Sequence, residues 1–232
     1  MSMSGSHGNR ESEAPTRVAI VGGAGKVSRR LIPLLKGAGI EAVPLVRREE
    51  QARELDAMGV SPRMLDIEEA SADEWVEALR GSDAVVFAAG GGADGNVERK
   101  RTVDLEGSTN AIEAARSLHI HRFVQVSAIG VDLPPDESRG ESWVAYVHAK
   151  RDADVALRAS GLQWTILRPG RLTDDEPTGR VTLAEEVGYG SIPRADVAGT
   201  ILACLQEPAT AGYQWELVSG DVEIAEAVAS SV

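Results

Sequence analysis

The stretch from Ala19 to Leu31, AIVGGAGKVSRRL, leaves few folds open to this chain. An apolar run stops at three glycines in four positions, and a helical pattern starts at once. A helix entered this way presents unpaired N–H groups and a positive dipole end to whatever lies before it. That arrangement binds anions, phosphates above all. In a dinucleotide-binding turn the first glycine permits the sharp exit from the strand. The second lets the backbone approach a pyrophosphate, and the third serves close helix–strand packing. Two registers are open here: Gly22, Gly25 and Ser28, or Gly23, Gly25 and Ser28. In both, Ser28 holds the third place and is small enough for a slight displacement to accommodate it. Lys26 and Val27 supply the backbone at the phosphates. A plain turn is the competing reading, but strand–turn–helix is the context the nucleotide motif requires. A P-loop is excluded by spacing, because Val27 separates Lys26 from Ser28.

Strand and helix patterns alternate from there to the end. Strands are expected at Arg17–Val21, Ala42–Val46, Arg63–Leu65, Ala84–Ala89, Arg122–Ser127, Trp164–Arg168 and Tyr213–Val218. Helices are expected between them: at Lys26–Lys36 with Pro33 inside, after a Ser71–Glu74 capping box, along a stripe of Val103, Gly107, Ala111, Ala114 and Leu118, up to Gly161, and at Asp196–Leu205. The segment 171–190 reads as irregular, with a short strand at Val181–Leu183, and VEIAEAVA reads as a closing helix. Such alternation predicts a single-domain α/β fold, a Rossmann-type doubly wound parallel sheet with helices on both faces. Its ligand belongs at the carboxyl ends of the strands, near the switch in strand order. The expected organisation is a disordered segment over 1–15 and one binding domain over 16–232, with a small substrate-side region near 171–190.

Composition narrows the function. A net charge of −12 over 232 residues argues against nucleic-acid and anionic-membrane partners. No apolar run reaches membrane-spanning length, and the opening residues lack the apolar core of a signal peptide. One cysteine, Cys204, allows no internal disulfide and suits a reducing cytoplasm. The four histidines show no metal-ligand spacing, so no metal is expected.

The end of the second strand selects the cofactor. An NAD site wants an acidic residue there for the ribose hydroxyls. This chain carries Arg47 and Arg48, whose guanidinium forks suit the extra 2′-phosphate of NADP, with Arg47 the better placed. An exposed arginine at a helix start is the plain alternative. Asp66 and Ile67 end the third strand, where an Asp can meet the adenine amino group. Ala88, Ala89 and Gly90 end the fourth, where small residues leave room for the adenosine.

Together with VDLEGSTNAIEAA, FVQVSAIG, YVHAKRDADVALRASGLQWTILRPG and RADVAG, these landmarks resemble the short-chain dehydrogenase/reductase superfamily over about Arg17 to Ala229. The chain is most similar to its atypical NAD(P)H-binding branch, related to flavin and biliverdin reductases and to proteins labelled NAD-dependent epimerases or dehydratases. The resemblance implies a nicotinamide cofactor and a catalytic set of Ser127, Tyr146 and Lys150. Tyr146 and Lys150 stand four apart and share one helix face. Lys150 would favour the tyrosinate by its charge and hold the nicotinamide ribose; Ser127 would bind the substrate oxygen. The resemblance further implies that Pro169, Gly170 and Arg171 lie beside the nicotinamide end. Arg194 and Asp196 are expected to fix a helix start, His148 to face solvent, and Trp143 and Trp164 to pack.

Three functions follow as expectations. The first is an NADP-dependent oxidoreductase passing hydride to a small carbonyl, quinone or flavin-like substrate. The second is a non-catalytic NADP(H) redox sensor. The third, a nucleotide-sugar epimerase or dehydratase, is disfavoured by the short stretch that follows the sixth strand. Monomer and homodimer are both open.

Overall fold

The computed structural model describes residues 14–92 and 95–232. Most of the segment expected to be disordered, residues 1–13, lies outside them, as do Ala93 and Asp94 of the glycine-rich loop. Seven strands run parallel: β1 (Arg17–Val21), β2 (Glu41–Val46), β3 (Arg63–Met64), β4 (Ala84–Phe87), β5 (Arg122–Val126), β6 (Gln163–Pro169) and, near the far edge, β10 (Tyr213–Ser219). With β8 (Arg180–Ala184) and β11 (Val222–Glu223), the sheet order among the described residues is β11-β8-β10-β6-β5-β4-β1-β2-β3. The order reverses at β1, which pairs with both β2 and β4. That reversal sets the crevice at the strands' carboxyl ends.

β8 (Arg180–Ala184) and the edge strand β11 (Val222–Glu223) were not expected as partners. β8 runs antiparallel to β10 and to β11, so the parallel sheet ends in an antiparallel margin. At the start of 171–190, β7 (Arg171–Thr173) pairs with β9 (Ser191–Pro193), just beyond that segment, in a separate two-stranded sheet. The closing helix begins only after β11, at α8 (Ile224–Ala229).

Both faces of the sheet are covered because strand residues alternate between them. Val18 and Ile20 of β1 join one core with Leu31 and Leu35 of α1 (Lys26–Gly37) and Val197 and Ile201 of α7 (Arg194–Gln206). Ala19 and Val21 join the other, with Trp75 and Leu79 of α3 (Ala72–Leu79), Ala111 and Ala115 of α5 (Gly107–Ser117), and Leu157 of α6 (Glu141–Arg158). α2 (Glu49–Ala57) links β2 to β3. Helix α3 starts on the expected box, Ser71 Oγ accepting from Glu74 N–H while Glu74 accepts from Ser71 N–H. Pro33 does not interrupt α1.

The helix before β5 is not uniform. A short α4 (Val97–Arg99) passes into a π-helical stretch, Lys100–Glu106, and then into α5. Wider winding of this kind re-aims side chains and recurs at functional sites. Here it turns Lys100 and Asp104 inward, where both are buried.

Candidate functional site

The glycine turn is shaped by contacts that a side chain would break. Gly22 takes φ +81°, a backbone conformation side chains rarely adopt, and a Cβ there would lie 2.7 Å from Ala89 Cα. A Cβ on Gly23 would fall 2.4 Å from Pro44 Cβ, so this glycine serves the close approach to β2. The N–H of Gly25 closes the turn on Gly22 O at 2.9 Å. Ser28, fully buried, donates its hydroxyl to the same carbonyl at 2.9 Å. The serine in the third position therefore bolts helix to turn. Gly25 caps α1 without any side-chain bond, which leaves the first N–H groups, those of Lys26 and Val27 included, facing the crevice. The Lys26 side chain swings aside to Asp174 Oδ2 at 2.5 Å, where Arg30 and Arg194 also pair with Asp174. The Lys26 hydrogen bond, followed by the charges of Arg194 and Arg30, holds the Asp174 carboxyl below its ordinary value.

Beside the turn opens a cleft of about 310 Å³, lined by Gly22, Gly25, Arg47, Asp66, Ile67 and Ala88–Gly90, with Glu68 and Arg99 opposite. The structure separates the two arginines. Arg48 begins α2, donating its N–H to Gln51 Oε1 at 3.3 Å, and its side chain is exposed. Arg47 reaches the cleft and pairs with Glu68 at 3.4 Å. Glu68 also receives Arg99 Nε at 3.3 Å and Thr102 Oγ1 at 2.8 Å. Two guanidiniums and a hydroxyl thus point at one carboxylate, an arrangement the sequence did not announce. Asp66 accepts from Glu68 N–H at 3.1 Å, and Ile67 packs into the space that Gly107 leaves on α5.

The far wall is the loop after β4, held from beneath. Asp104 Oδ2 accepts from Gly91 N–H at 2.8 Å, and Lys100 donates to Gly92 O. Lys150 donates to Val126 O at 3.1 Å and Ala89 O at 3.3 Å, and meets Asp104 Oδ1 at 3.2 Å as an ion pair. Burial works against the Lys150 charge, but Asp104, then Tyr146, outweigh it and raise the ammonium above its ordinary value. Two carbonyls thus take hydrogen bonds from Lys150, and Asp104 balances its charge.

Tyr146, Lys150 and Asp154 stand four apart on α6 and form one stripe. Burial pushes the Tyr146 phenol up; Lys150 pulls it down, while Asp104 and Asp154 push it up again. The net shift is upward, opposite to the one expected from the lysine alone. No described residue hydrogen-bonds the phenol oxygen. Its ring lies 5.6 Å from that of Trp143, over which Arg139 sits at 3.3 Å.

Asp154 organises the end of β5. It accepts from Gln125 Nε2 at 2.7 Å, Ser127 Oγ at 2.8 Å and Arg168 Nε at 2.9 Å. Burial pushes its carboxyl up against these three partners, Arg168 foremost. Ser127, expected as a substrate contact, therefore spends its proton inward. Pro169 ends β6, Gly170 follows it and Arg171 opens β7. Ile129 N–H bonds Pro169 O at 3.1 Å, and a Cβ on Gly170 would lie 2.5 Å from Gly190 O. Arg171 is exposed, as is His148. Glu216 of β10 ties the loop after β5 to the one between β8 and β9, accepting from Gly130 N–H at 3.1 Å and Val187 N–H at 3.0 Å. Asp196 holds the turn before β8 through Thr178 and Gly179, and Trp164 packs against the core as expected.

Unpaired N–H groups at the turn, glycines that a Cβ would block, and an adjoining cleft fit a dinucleotide. The comparisons agree. Residues 22–208 match a family model described as NAD(P)H-binding. A Bacillus subtilis protein named as a sugar epimerase, YhfK, itself uncharacterised, is 38% identical over 213 residues, covering 91% of this chain and 98% of that protein. A solved Bacillus halodurans structure, named for an NAD-dependent epimerase/dehydratase, is also 38% identical, with a TM-score of 0.85 over 93% of this chain and 99% of that one. The oxidoreductase ylbE of Lactococcus lactis superposes at TM-score 0.81 with 28% identity, over 92% and 95% of the two chains. Turn, cleft and sequence match agree that the chain belongs to the NAD(P)H-binding family.

Proposed function

We propose that the protein is an NADPH-dependent reductase whose acceptor is quinone- or flavin-like. The observation that carries this is the pairing at the hydride end: Lys150 is committed to Asp104, and the Tyr146 phenol is pushed up. NADPH, when bound, supplies the hydride. The backbone at Gly25, Lys26 and Val27 holds the pyrophosphate, and Arg47 reads the 2′-phosphate beside Asp66 and Ile67. Ala88, Ala89 and Gly90 receive the adenosine. Lys150 and Ser127 set the wall against which the nicotinamide end rests, and Pro169, Gly170 and Arg171 border the acceptor.

Tyr146 stays protonated across the neutral range and can donate a hydrogen bond to an acceptor oxygen or nitrogen. A phenol so far from the working pH is a weak general acid. Acceptors that delocalise the incoming electron pair need little acid assistance, whereas a simple ketone needs much. An epimerase or dehydratase that starts by oxidising a sugar hydroxyl needs a base at this place, and an upward-shifted Tyr146 opposes that role. The names of the relatives lean both ways, and the site chemistry supports reduction.

The test is NADPH oxidation with a naphthoquinone, a flavin and a simple ketone as acceptors, in wild type and Tyr146→Phe. The expected result is turnover with the first two that survives the substitution within about tenfold, the lower end of what general acid–base catalysis contributes being higher than that. Tight NADPH binding without turnover on any acceptor would instead favour the redox-sensor function. Abolished turnover in Tyr146→Phe would restore the tyrosine as the essential acid.

A further inference from the structure

The substrate end contains a buried arginine whose outer face is covered by a replaceable carboxylate. Arg168 ends β6 with its side chain only 4% exposed. Its inner edge, Nε and Nη2, meets Asp154 Oδ2 at 2.9 and 2.8 Å. Its outer edge, Nη1 and Nη2, meets Asp132 Oδ2 and Oδ1 at 2.5 and 3.1 Å, a two-pronged match. The two carboxylates are held very differently. The Asp154 side chain is 0% exposed and also binds Gln125 and Ser127. Asp132 is 55% exposed and bonds nothing but Arg168 among the described residues.

The turn that carries Asp132 does not depend on it. Ile129 N–H bonds Pro169 O, Gly130 N–H bonds Glu216, Leu133 N–H bonds Gly130 O, and Val131 is buried. Rotation of the Asp132 side chain into water would expose the outer edge of Arg168 while the turn stays in place. The guanidinium adjoins Ser127 through its inner edge, because Ser127 Oγ and Arg168 Nε share one acceptor atom, Asp154 Oδ2. Apolar surface lies close by. A Cβ on Gly130 would be 3.2 Å from Tyr189 Oη and 3.9 Å from Leu133 Cδ1, and both side chains are exposed.

We propose that Arg168 is the reader of a substrate carboxylate, and that Asp132 stands in for that group when the site is empty. The acceptor is then an apolar, conjugated molecule bearing a carboxylate, which docks on Arg168 and extends its reducible part toward Ser127 and Tyr146. This rests on the reductase function proposed above for the same site. Carboxylate is favoured over phosphate on two grounds. The guanidinium edge presents two parallel N–H groups that match a planar carboxylate. Exchanging one carboxylate for another also leaves the charge beside buried Asp154 unchanged, whereas a phosphate dianion would add to it.

Calorimetric titration of 2-naphthoate and 2-naphthamide into the protein with NADPH tests the site without turnover. The half-exposed position of Asp132 makes Asp132→Ala a variant that folds. The proposal expects naphthoate to bind at least tenfold more tightly than the amide, the lower end for a charged hydrogen-bonded pair. It expects Asp132→Ala to tighten naphthoate and leave the amide unchanged, and Arg168→Gln to erase the preference. Equal binding of acid and amide in Asp132→Ala, or naphthoate affinity indifferent to Asp132→Ala, would overturn it. Turnover of a carboxylated naphthoquinone and its methyl ester separates the two claims. Failure of both quinones with the naphthoate preference intact refutes the reductase function and keeps the carboxylate site. Equal kcat/KM for acid and ester, in wild type and Asp132→Ala, refutes the carboxylate site and keeps the reductase.

Discussion

Replacing Asp104 by Asn should cost this protein a large share of its stability. The side chains of Asp104 and Lys150 are 0% and 6% exposed, and their charges meet at 3.2 Å. At an effective dielectric of about 20, two unit charges at that distance attract by about 5 kcal/mol. Desolvation offsets much of this in the intact pair, but removing one partner strands the other, at about 3–5 kcal/mol. Against a typical total of about 5–15 kcal/mol, such a loss is visible in any urea titration. Asn also supplies a poorer acceptor for Gly91 N–H, so the loop that walls the cofactor cleft loosens with it. The sign of the pH dependence follows from Lys150, whose folded value is raised by Asp104 and Tyr146 against the effect of burial. Stability from this group is fully present below its unfolded value near ~10.4 and is lost as pH rises through the folded one. With Asp104 gone, burial works unopposed by it on the stranded Lys150 charge, so the deficit of Asp104→Asn should shrink as pH rises toward the unfolded value. Urea denaturation followed by tryptophan fluorescence measures it, and Asp104→Leu combined with Lys150→Met supplies the control. The doubly apolar variant should recover much of the loss, because no charge is left stranded. A single-variant loss below about 1 kcal/mol, within the range of surface ion pairs, would refute the reasoning. So would a double variant no more stable than Asp104→Asn.

Three further outcomes follow from the geometry. Glu68→Gln should tighten NADPH relative to NADH by roughly tenfold, since Arg47, Arg99 and Thr102 would no longer share a carboxylate that repels a 2′-phosphate; an unchanged ratio in paired calorimetric titrations would remove Glu68 from cofactor selection. Gly22→Ala should lose about 2–4 kcal/mol from left-handed backbone strain and overlap with Ala89, read as a lower urea midpoint; a midpoint within error of wild type would contradict the turn geometry. Cys204 is wholly buried and its thiol is pushed up to about 12, burial being the cause that outweighs Arg122, so iodoacetamide should leave it unmodified in the native protein and react only after unfolding. Native-state labelling at the unfolded rate would show that the thiol is reached without unfolding.

Much of the fold was legible because its signals are local. Gly22 and Gly25, the Ser71–Glu74 box and the alternating apolar runs each act within a few residues, and the structure follows them. The margin beyond β10 was legible only in part for the same reason: the strand expected at Val181–Leu183 lies within β8, but its pairing and β11 were not foreseen. Three-residue strands such as β7 and β9 are shorter than any period can register, and β8 takes its direction from its neighbour β10. The site divides along the same line. Gly22, Gly25, Arg47, Asp66, Ile67 and Ala88–Gly90 line the cleft, but the partners that decide the chemistry come from distant segments: Asp104 from a π-helical turn, Glu68 from beyond β3, Asp132 from a loop. Lys150 beside Tyr146 suggested a lowered phenol, and only the folded chain shows the burial, and after it the two carboxylates, that reverse it. One signal was available in the sequence. Asp154 continues the spacing of Tyr146 and Lys150 by four residues, which places a third titratable group on the same helix face.

The most direct test of the central claim, NADPH held in the glycine cleft with Arg47 at its 2′-phosphate, is calorimetric titration of NADPH and NADH into wild type and Arg47→Ala. NADPH should bind at least tenfold more tightly than NADH in the wild type, and Arg47→Ala should bring the two together by weakening NADPH alone. Equal affinity for the two cofactors in the wild type would contradict it.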